Sequence, residues 1–167
     1  TADVRPIRET PRPGQESVWD FPRPPAVRPA GVRVRVVHGG IVVADSLSAL
    51  MICETAHAPA YYVPAEDLRP GAIVPNGHAT WCEFKGQAEY GDLRVGTSVV
   101  PDACWWYPRP DRRYEKIQDA VCFFPQKVDL CEVDGEAVAP LAGSFYGDWP
   151  TSRFAGPFKG GLGTEGW

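Results

Sequence analysis

The sequence predicts a mainly β protein: a single compact antiparallel β-rich domain, meander-like or open-barrel-like, with one short helix and extended N- and C-terminal segments. Three observations carry that expectation. Apolar and polar residues alternate over short runs separated by Gly, Pro or Asn turns. The 18 Pro and 17 Gly are too many for a helical bundle. The 44% hydrophobic content of a 167-residue chain is enough for one core without disulfides or metal.

Residues 1–31 carry seven prolines, Pro22, Pro24, Pro25 and Pro29 among them, which excludes a helix or an inner strand and predicts an extended arm. Val18, Trp19 and Phe21 are costly to leave in water, so they are expected to pin the arm to the body. The core domain is expected over 32–140. Val32–Val37 alternates Val with Arg, His38-Gly39-Gly40 supplies a turn, and Ile41–Ala44 completes a hairpin. Further strands are expected at Ala49–Ala56, Ala60–Val63, His78–Lys85, Ala88–Val95 and Trp105–Tyr107. Arg112–Asp119 lacks Pro and Gly and follows Asp111 as an N-cap, so it is the predicted short helix. Strands at Val121–Phe124 and Val128–Val133 precede the Asp134-Gly135 turn and a last strand at Glu136–Ala139. The tail, 141–167, is Gly-rich but contains Phe145, Tyr146, Trp149, Phe154, Phe158 and Trp167, and is expected to wrap the body.

Charge is unevenly spread. Residues 1–35 hold seven Arg against four acids, while the remainder holds ten basic against seventeen acidic side chains. An acidic body repels phosphate backbones, so no nucleic-acid partner is expected. No apolar run approaches the roughly 20 residues that span a bilayer, and Thr1 opens a Pro/Arg stretch rather than a signal-peptide core. The expectation is a soluble, cytoplasmic protein with no membrane partner, its oligomeric state left open.

Cys53, Cys82, Cys104, Cys122 and Cys131 form no C-x-x-C pair, and His38, His57 and His78 show no ligand spacing. Neither a metal nor another cofactor is expected, and reduced, mostly buried thiols suit a cytosolic setting. G-x-S-x-G, G-x-x-x-x-G-K-[ST] and a G-x-G-x-x-G after a strand are all missing, which sets aside serine-hydrolase, P-loop and Rossmann chemistry.

Three residues carry the candidate chemistry. Leu50, Ile52 and Glu54 share one strand face, so the pleat that buries the first two takes the carboxylate inward. There Glu54 is either tied to a cation or backbone amide, or serves as an acid or base. Cys82 shares a face with Thr80 and Phe84, whereas strict alternation puts Lys85 with Trp81 and Glu83. A bulge seated by Gly86 would turn Lys85 toward the thiol; otherwise Cys82 is an inert buried cysteine. Trp105 and Tyr107 project to one side of an edge-like strand, as a pocket wall or as core. His57, Tyr62, Thr80 and Tyr90 complete the candidate binding residues.

Glu54-Thr55, Pro59, Tyr62-Val63-Pro64, Thr80-x-Cys82-x-x-Lys85-Gly86, Trp105-x-Tyr107-Pro108-x-Pro110, Phe123 and Val133-Asp134-Gly135-Glu136 together resemble domain of unknown function family 427. The resemblance extends to Ser17-Val18-Trp19-Asp20-Phe21-Pro22 and Gly156-Pro157-Phe158-Lys159-Gly160-Gly161. It implies a small β-rich domain, mostly bacterial or fungal, without an agreed activity. The nucleotidyltransferase label attached to the family finds no support here, because no Gly-Ser turn followed by paired acidic ligands on a strand is found, and two-metal phosphoryl transfer needs such carboxylates. Gly91, Cys104 and Phe124 depart from the usual pattern. At Gly91 the lost ring either opens space beside the site or merely relaxes a surface strand.

Two functions follow. In the first, the protein binds or transforms a small organic metabolite in an aromatic pocket, with Glu54 as acid or base, Cys82 beside it and Lys85 as anion holder or electrophile. In the second it is a non-catalytic interaction module whose Glu54 and Lys85 form a structural pair. Under both, Glu54, Cys82, Lys85, Trp105 and Tyr107 are expected around one cavity, with Lys85 in reach of Glu54.

Overall fold

The computed structural model describes residues 5–144 and 146–167. Phe145, one of the aromatics expected to hold the tail, lies outside them. Thirteen strands are present among the described residues: β1 (Glu16–Ser17), β2 (Ala26–Pro29), β3 (Val34–His38), β4 (Ile41–Ser46), β5 (Leu50–Cys53), β6 (Ala60–Tyr62), β7 (Ile73–Cys82), β8 (Gly86–Val95), β9 (Ser98–Trp106), β10 (Cys122–Phe123), β11 (Leu130–Val133), β12 (Glu136–Ala137) and β13 (Phe154–Ala155). The fold is mainly β, as the sequence predicts. No described helix is long and apolar enough to cross a membrane.

The β3–β4 hairpin turns at Gly39-Gly40, both with positive φ (57° and 74°), the geometry a two-residue turn between twisted strands requires. β11 and β12 extend it in the order β12-β11-β3-β4. Val34 and Val36 face the core, and the alternate Arg33 and Arg35 reach outward to Asp45 and Glu132. The remaining strands form β2-β5-β6 and β10-β9-β8-β7. These are joined where Val63 and Val121 each donate a 2.8 Å hydrogen bond to the other's carbonyl, so the seven strands run on as one surface.

The central strands of that surface, β5, β6, β9 and β10, pack on both sides, whereas β7 is largely exposed. Met51, Cys53, Tyr61, Val63, Cys104, Val121 and Phe123 face the main core with β3, β4 and β11. Their sequence neighbours Ile52, Tyr62, Trp105 and Cys122 face a second core, closed by Tyr114 and Ile117. Those two come from Arg112–Ile117, two short 3-10 turns merged across a kink at Tyr114 rather than a regular helix. Asp111 caps the segment as expected, accepting from the Arg113 amide at 3.0 Å, and the Tyr114 hydroxyl donates to the Pro25 carbonyl at 2.8 Å.

Three strands differ from the sequence reading for identifiable reasons. β2 falls within the proline-rich arm, but at a sheet edge, where a strand bounded by Pro25 and Pro29 loses no necessary ladder bond. β7 starts at Ile73 because a bulge between Pro75 and Ala79, with Gly77 at φ 83°, absorbs the apparent break. It ends at Cys82, which pairs with Gly86, so Glu83–Lys85 form a turn. β9 begins at Ser98 and is interior, not edge-like, since Asp102 at φ 49° takes up an irregularity opposite Gly91–Leu93.

Gly91 opens no space beside the second core. It faces the main core, and a Cβ built on it would lie 2.8 Å from the Trp106 ring and 2.9 Å from Ile73 Cγ2. The Trp106 ring occupies that space. Gly91→Phe is therefore expected to lower stability by about 1–3 kcal/mol through overpacking, and Trp106→Ala in the same chain to recover part of it. Urea denaturation of the single and double variants checks this.

Candidate functional site

Strand register brings the candidate residues to one face. Thr80 pairs with Ala88, Tyr90 with Trp105, and Trp105 with Cys122, and directly opposed residues share a side. Thr80, Cys82, Tyr90 and Trp105 therefore look toward the second core, where Ile52, Ala60 and Tyr62 arrive from the joined sheet. Between them lies a cavity of about 350 Å³. Glu54, His57, Tyr62, Cys82, Lys85, Tyr90, Trp105 and Tyr107 all line it. Thr80 does not; its hydroxyl lies 2.9 Å from that of Tyr90, which does.

The aromatic wall is tightly interlocked. Trp105 Nε1 donates to the Tyr62 hydroxyl at 3.2 Å, with the two rings edge to face at 6.1 Å. Phe124 packs on Trp105 at 4.5 Å. Burial drives the phenols of Tyr62 and Tyr107 upward, so both stay protonated. Burial likewise raises the thiols of Cys53 to about 11 and of Cys104 to about 12, and lifts those of Cys122 and Cys131 well up. Cys82, half-buried in the cavity wall, is set apart from these four by exposure.

Lys85 reaches the cavity from the β7–β8 turn, which removes it from the strand alternation that would have turned it away. Gly86, at φ 103°, makes the turn, and the Asp111 amide donates to the Lys85 carbonyl at 2.9 Å. The Lys85 side chain is buried, with 9% of the residue exposed, and its ammonium lies 5.8 Å from the Tyr107 ring centre. Among the described residues it has no ion pair; Glu54 shares the cavity without contacting it.

Glu54 and His57 stand on a tight turn in which the His57 amide donates to the Glu54 carbonyl at 3.0 Å and Ala56 takes φ 73°. Both chain ends hold this turn. The Ala56 amide donates to Val18 of the arm at 2.9 Å, and its carbonyl accepts from the Lys159 amide of the tail at 2.8 Å. The Thr55 hydroxyl also donates to the Phe21 carbonyl.

The tail supplies what the sequence reading missed. Asp148 Oδ2 lies 2.8 Å from His57 Nδ1, with both side chains largely buried. Burial alone would lower the His57 pKa, but the Asp148 hydrogen bond and charge, aided by Glu54, outweigh it and raise the value. Tyr146 stacks edge-on against His57 at 5.0 Å, and Lys159 and Arg23 also line the cavity. The detectable signal is Tyr146-Gly147-Asp148-Trp149, an acid between a glycine and a tryptophan with a tyrosine before the glycine. A second pair, His78 Nδ1 with Asp102 Oδ2 at 3.1 Å, is exposed and lies outside the cavity, with His78 stacked on Tyr90 at 4.3 Å. Among the described residues no three His, Cys, Asp or Glu side chains are grouped as metal ligands.

Asp148 is held by its neighbours. Trp149 is fully buried and donates from Nε1 to the Phe123 carbonyl at 2.9 Å. Gly147 lies flat on Trp105, where a Cβ would come within 1.9 Å of the ring. Gly147→Ala is expected to displace this stretch, cost ~1–3 kcal/mol, and break the His57–Asp148 bond. Denaturation curves and the imidazole resonances in NMR check both effects.

No curated protein matches the chain. A family model described as a domain of unknown function, DUF427, matches residues 26–134, from β2 to the turn after β11. That span carries the seven-stranded surface and the turns bearing Glu54, His57 and Lys85, while Asp148 and Lys159 are added from beyond it. The matched span covers most of the chain, and the protein belongs to the DUF427 family.

Proposed function

We propose that the protein binds a small organic metabolite in the aromatic-lined cavity and moves a proton on it. One observation carries this reading: a lysine on the cavity lining whose side chain is almost wholly buried and whose ammonium has no ion pair among the described residues. An isolated ammonium is expensive to bury, and a structural role would have given it a carboxylate. A ligand carboxylate, phosphate or polarised carbonyl supplies the missing partner. Tyr62, Trp105 and Tyr107 give the ligand an apolar surface with phenolic tips, the composition of small-molecule sites.

Proton transfer falls to His57, whose Nδ1 is committed to Asp148, leaving Nε2 as the exchanging nitrogen. Glu54 is a second candidate group on the same turn, and Cys82 a neighbouring soft nucleophile. The five cysteines are free thiols, which supports a reducing, cytoplasmic setting for this chemistry.

Thermal-shift measurements against small carboxylates, phosphates and carbonyl compounds test the reading. At least one class should stabilise the native chain, and Lys85→Met should abolish that response. Lys85→Met should itself keep its stability or gain about 1–2 kcal/mol, since a buried charge is replaced by an apolar group of similar length. A loss of about 3 kcal/mol or more would instead mark Lys85 as one half of a structural pair.

The His57–Asp148 pair sets a pH dependence. A histidine whose folded pKa is raised contributes stability that is complete below its ordinary value of 6.5 and is lost as pH rises through the folded value. Asp148→Asn should therefore cost roughly 1–3 kcal/mol near pH 5.5 and distinctly less near pH 8.5. Denaturation at the two pH values measures the difference.

A further inference from the structure

The cavity contains two opposite charges that do not meet. The Lys85 ammonium has no hydrogen bond or ion pair among the described residues, and neither has the half-buried Glu54 carboxylate. The other charges on the lining are engaged. Asp148 holds His57 at 2.8 Å, Lys159 Nζ donates to the Trp167 carbonyl at 2.9 Å, and Arg23 lies 4.0 Å from Glu83 and over the Phe84 ring.

Opposite charges in a poorly solvated space attract strongly, so two flexible side chains free to close on each other would do so. These two form no ion pair, and each stands on a turn anchored at its backbone. Lys85 is fixed in the β7–β8 turn through the Asp111 amide, and Glu54 in the turn that Val18 and Lys159 hold from either side. The gap between them is complementary to a molecule that carries both signs. A simple anion would satisfy Lys85 while bringing a second negative charge toward Glu54. A simple cation would do the reverse.

We infer that the cavity takes a zwitterionic amino carboxylate with an apolar or aromatic body. The ligand carboxylate sits on Lys85 and its ammonium on Glu54, while the body lies against Tyr62, Tyr90, Trp105 and Phe124. His57, beside Glu54 on the same turn, is then placed to exchange a proton with the ammonium end of the ligand. This inference rests on the metabolite-binding reading above and adds the class of molecule bound.

The test uses ligands matched in carbon skeleton. Calorimetric titration and thermal shift are run on the full chain with the twenty standard amino acids. Each apolar hit is compared with its acid lacking the amine and its amine lacking the acid, as in L-phenylalanine, 3-phenylpropanoate and 2-phenylethylamine. At least one amino acid is expected to bind tenfold or more tighter than both of its counterparts. Glu54→Gln, nearly isosteric, should weaken amino-acid binding, keep or raise the affinity of the acid, and so reduce the advantage over the acid to less than threefold. Lys85→Met should remove the advantage over the amine.

If acids bind as tightly as their amino acids, or Glu54→Gln leaves the ratio unchanged, the zwitterion inference is overturned while the metabolite reading survives through the Lys85 dependence of acid binding. The inference also falls alone if no amino acid binds but a phosphate or carbonyl compound does so in a Lys85-dependent way. If no probe of any class binds, both readings fail. The comparison between ligands requires no variant, so a misfolded mutant does not decide the outcome.

Discussion

The reciprocal hydrogen bonds between Val63 and Val121 are what the rest of the structure depends on. Without them β6 and β10 would be edges of separate sheets, with unpaired backbone groups exposed where the cavity now lies. With them, seven strands form one surface, and strand alternation does two jobs at once. Tyr61 and Phe123 enter the main core while Tyr62 and Cys122 face the second. The aromatic wall is thus built on a sheet anchored from behind by a large hydrophobic core. A site mounted on such a surface keeps its geometry better than one mounted on loops.

The polar groups are handled in the opposite way. Glu54, His57, Lys85 and Asp148 all come from turns or from the extended tail rather than from strand centres. A charged side chain in mid-strand on a two-sided buried sheet would be trapped in apolar surroundings. At a turn the same group can enter the cavity from its rim while its stem covers apolar surface. Lys85 follows this plan, its ammonium lying 5.8 Å from the centre of the Tyr107 ring. The division assigns rigidity to apolar residues and charge to the rim.

This division also explains what the sequence revealed. Trp105, Tyr107, Tyr62 and Cys82 were legible because period-two alternation states which side a strand residue faces, whatever the strand's partner. Lys85 was legible as a candidate but not in its route, since alternation was counted through Glu83–Lys85, where the chain had already turned at Cys82. β9 was read too short because Pro101 and Asp102 look like breaks, and only the sheet shows the irregularity that absorbs them. Asp148 was invisible for a deeper reason. Its partner lies 91 residues away, and an extended tail has no periodicity from which a facing side can be inferred. Gly91 shows the same limit, since the ring that fills its space comes from Trp106 on the neighbouring strand.

The turn held between Val18 and Lys159 has a kinetic consequence. Ala56 receives its two backbone partners from opposite ends of the chain, one 38 and the other 103 residues distant. Contacts of such sequence separation are slow to form, because the entropy of closing large loops is lost before any of it is recovered. The sheets can assemble from hairpins, but the Glu54–His57 corner is completed only when both ends have come home. It is also the corner most sensitive to their leaving. Fraying at either terminus, the lowest-energy fluctuation a folded chain has, releases one side of the Glu54–His57 turn while the sheet and its aromatic wall remain closed.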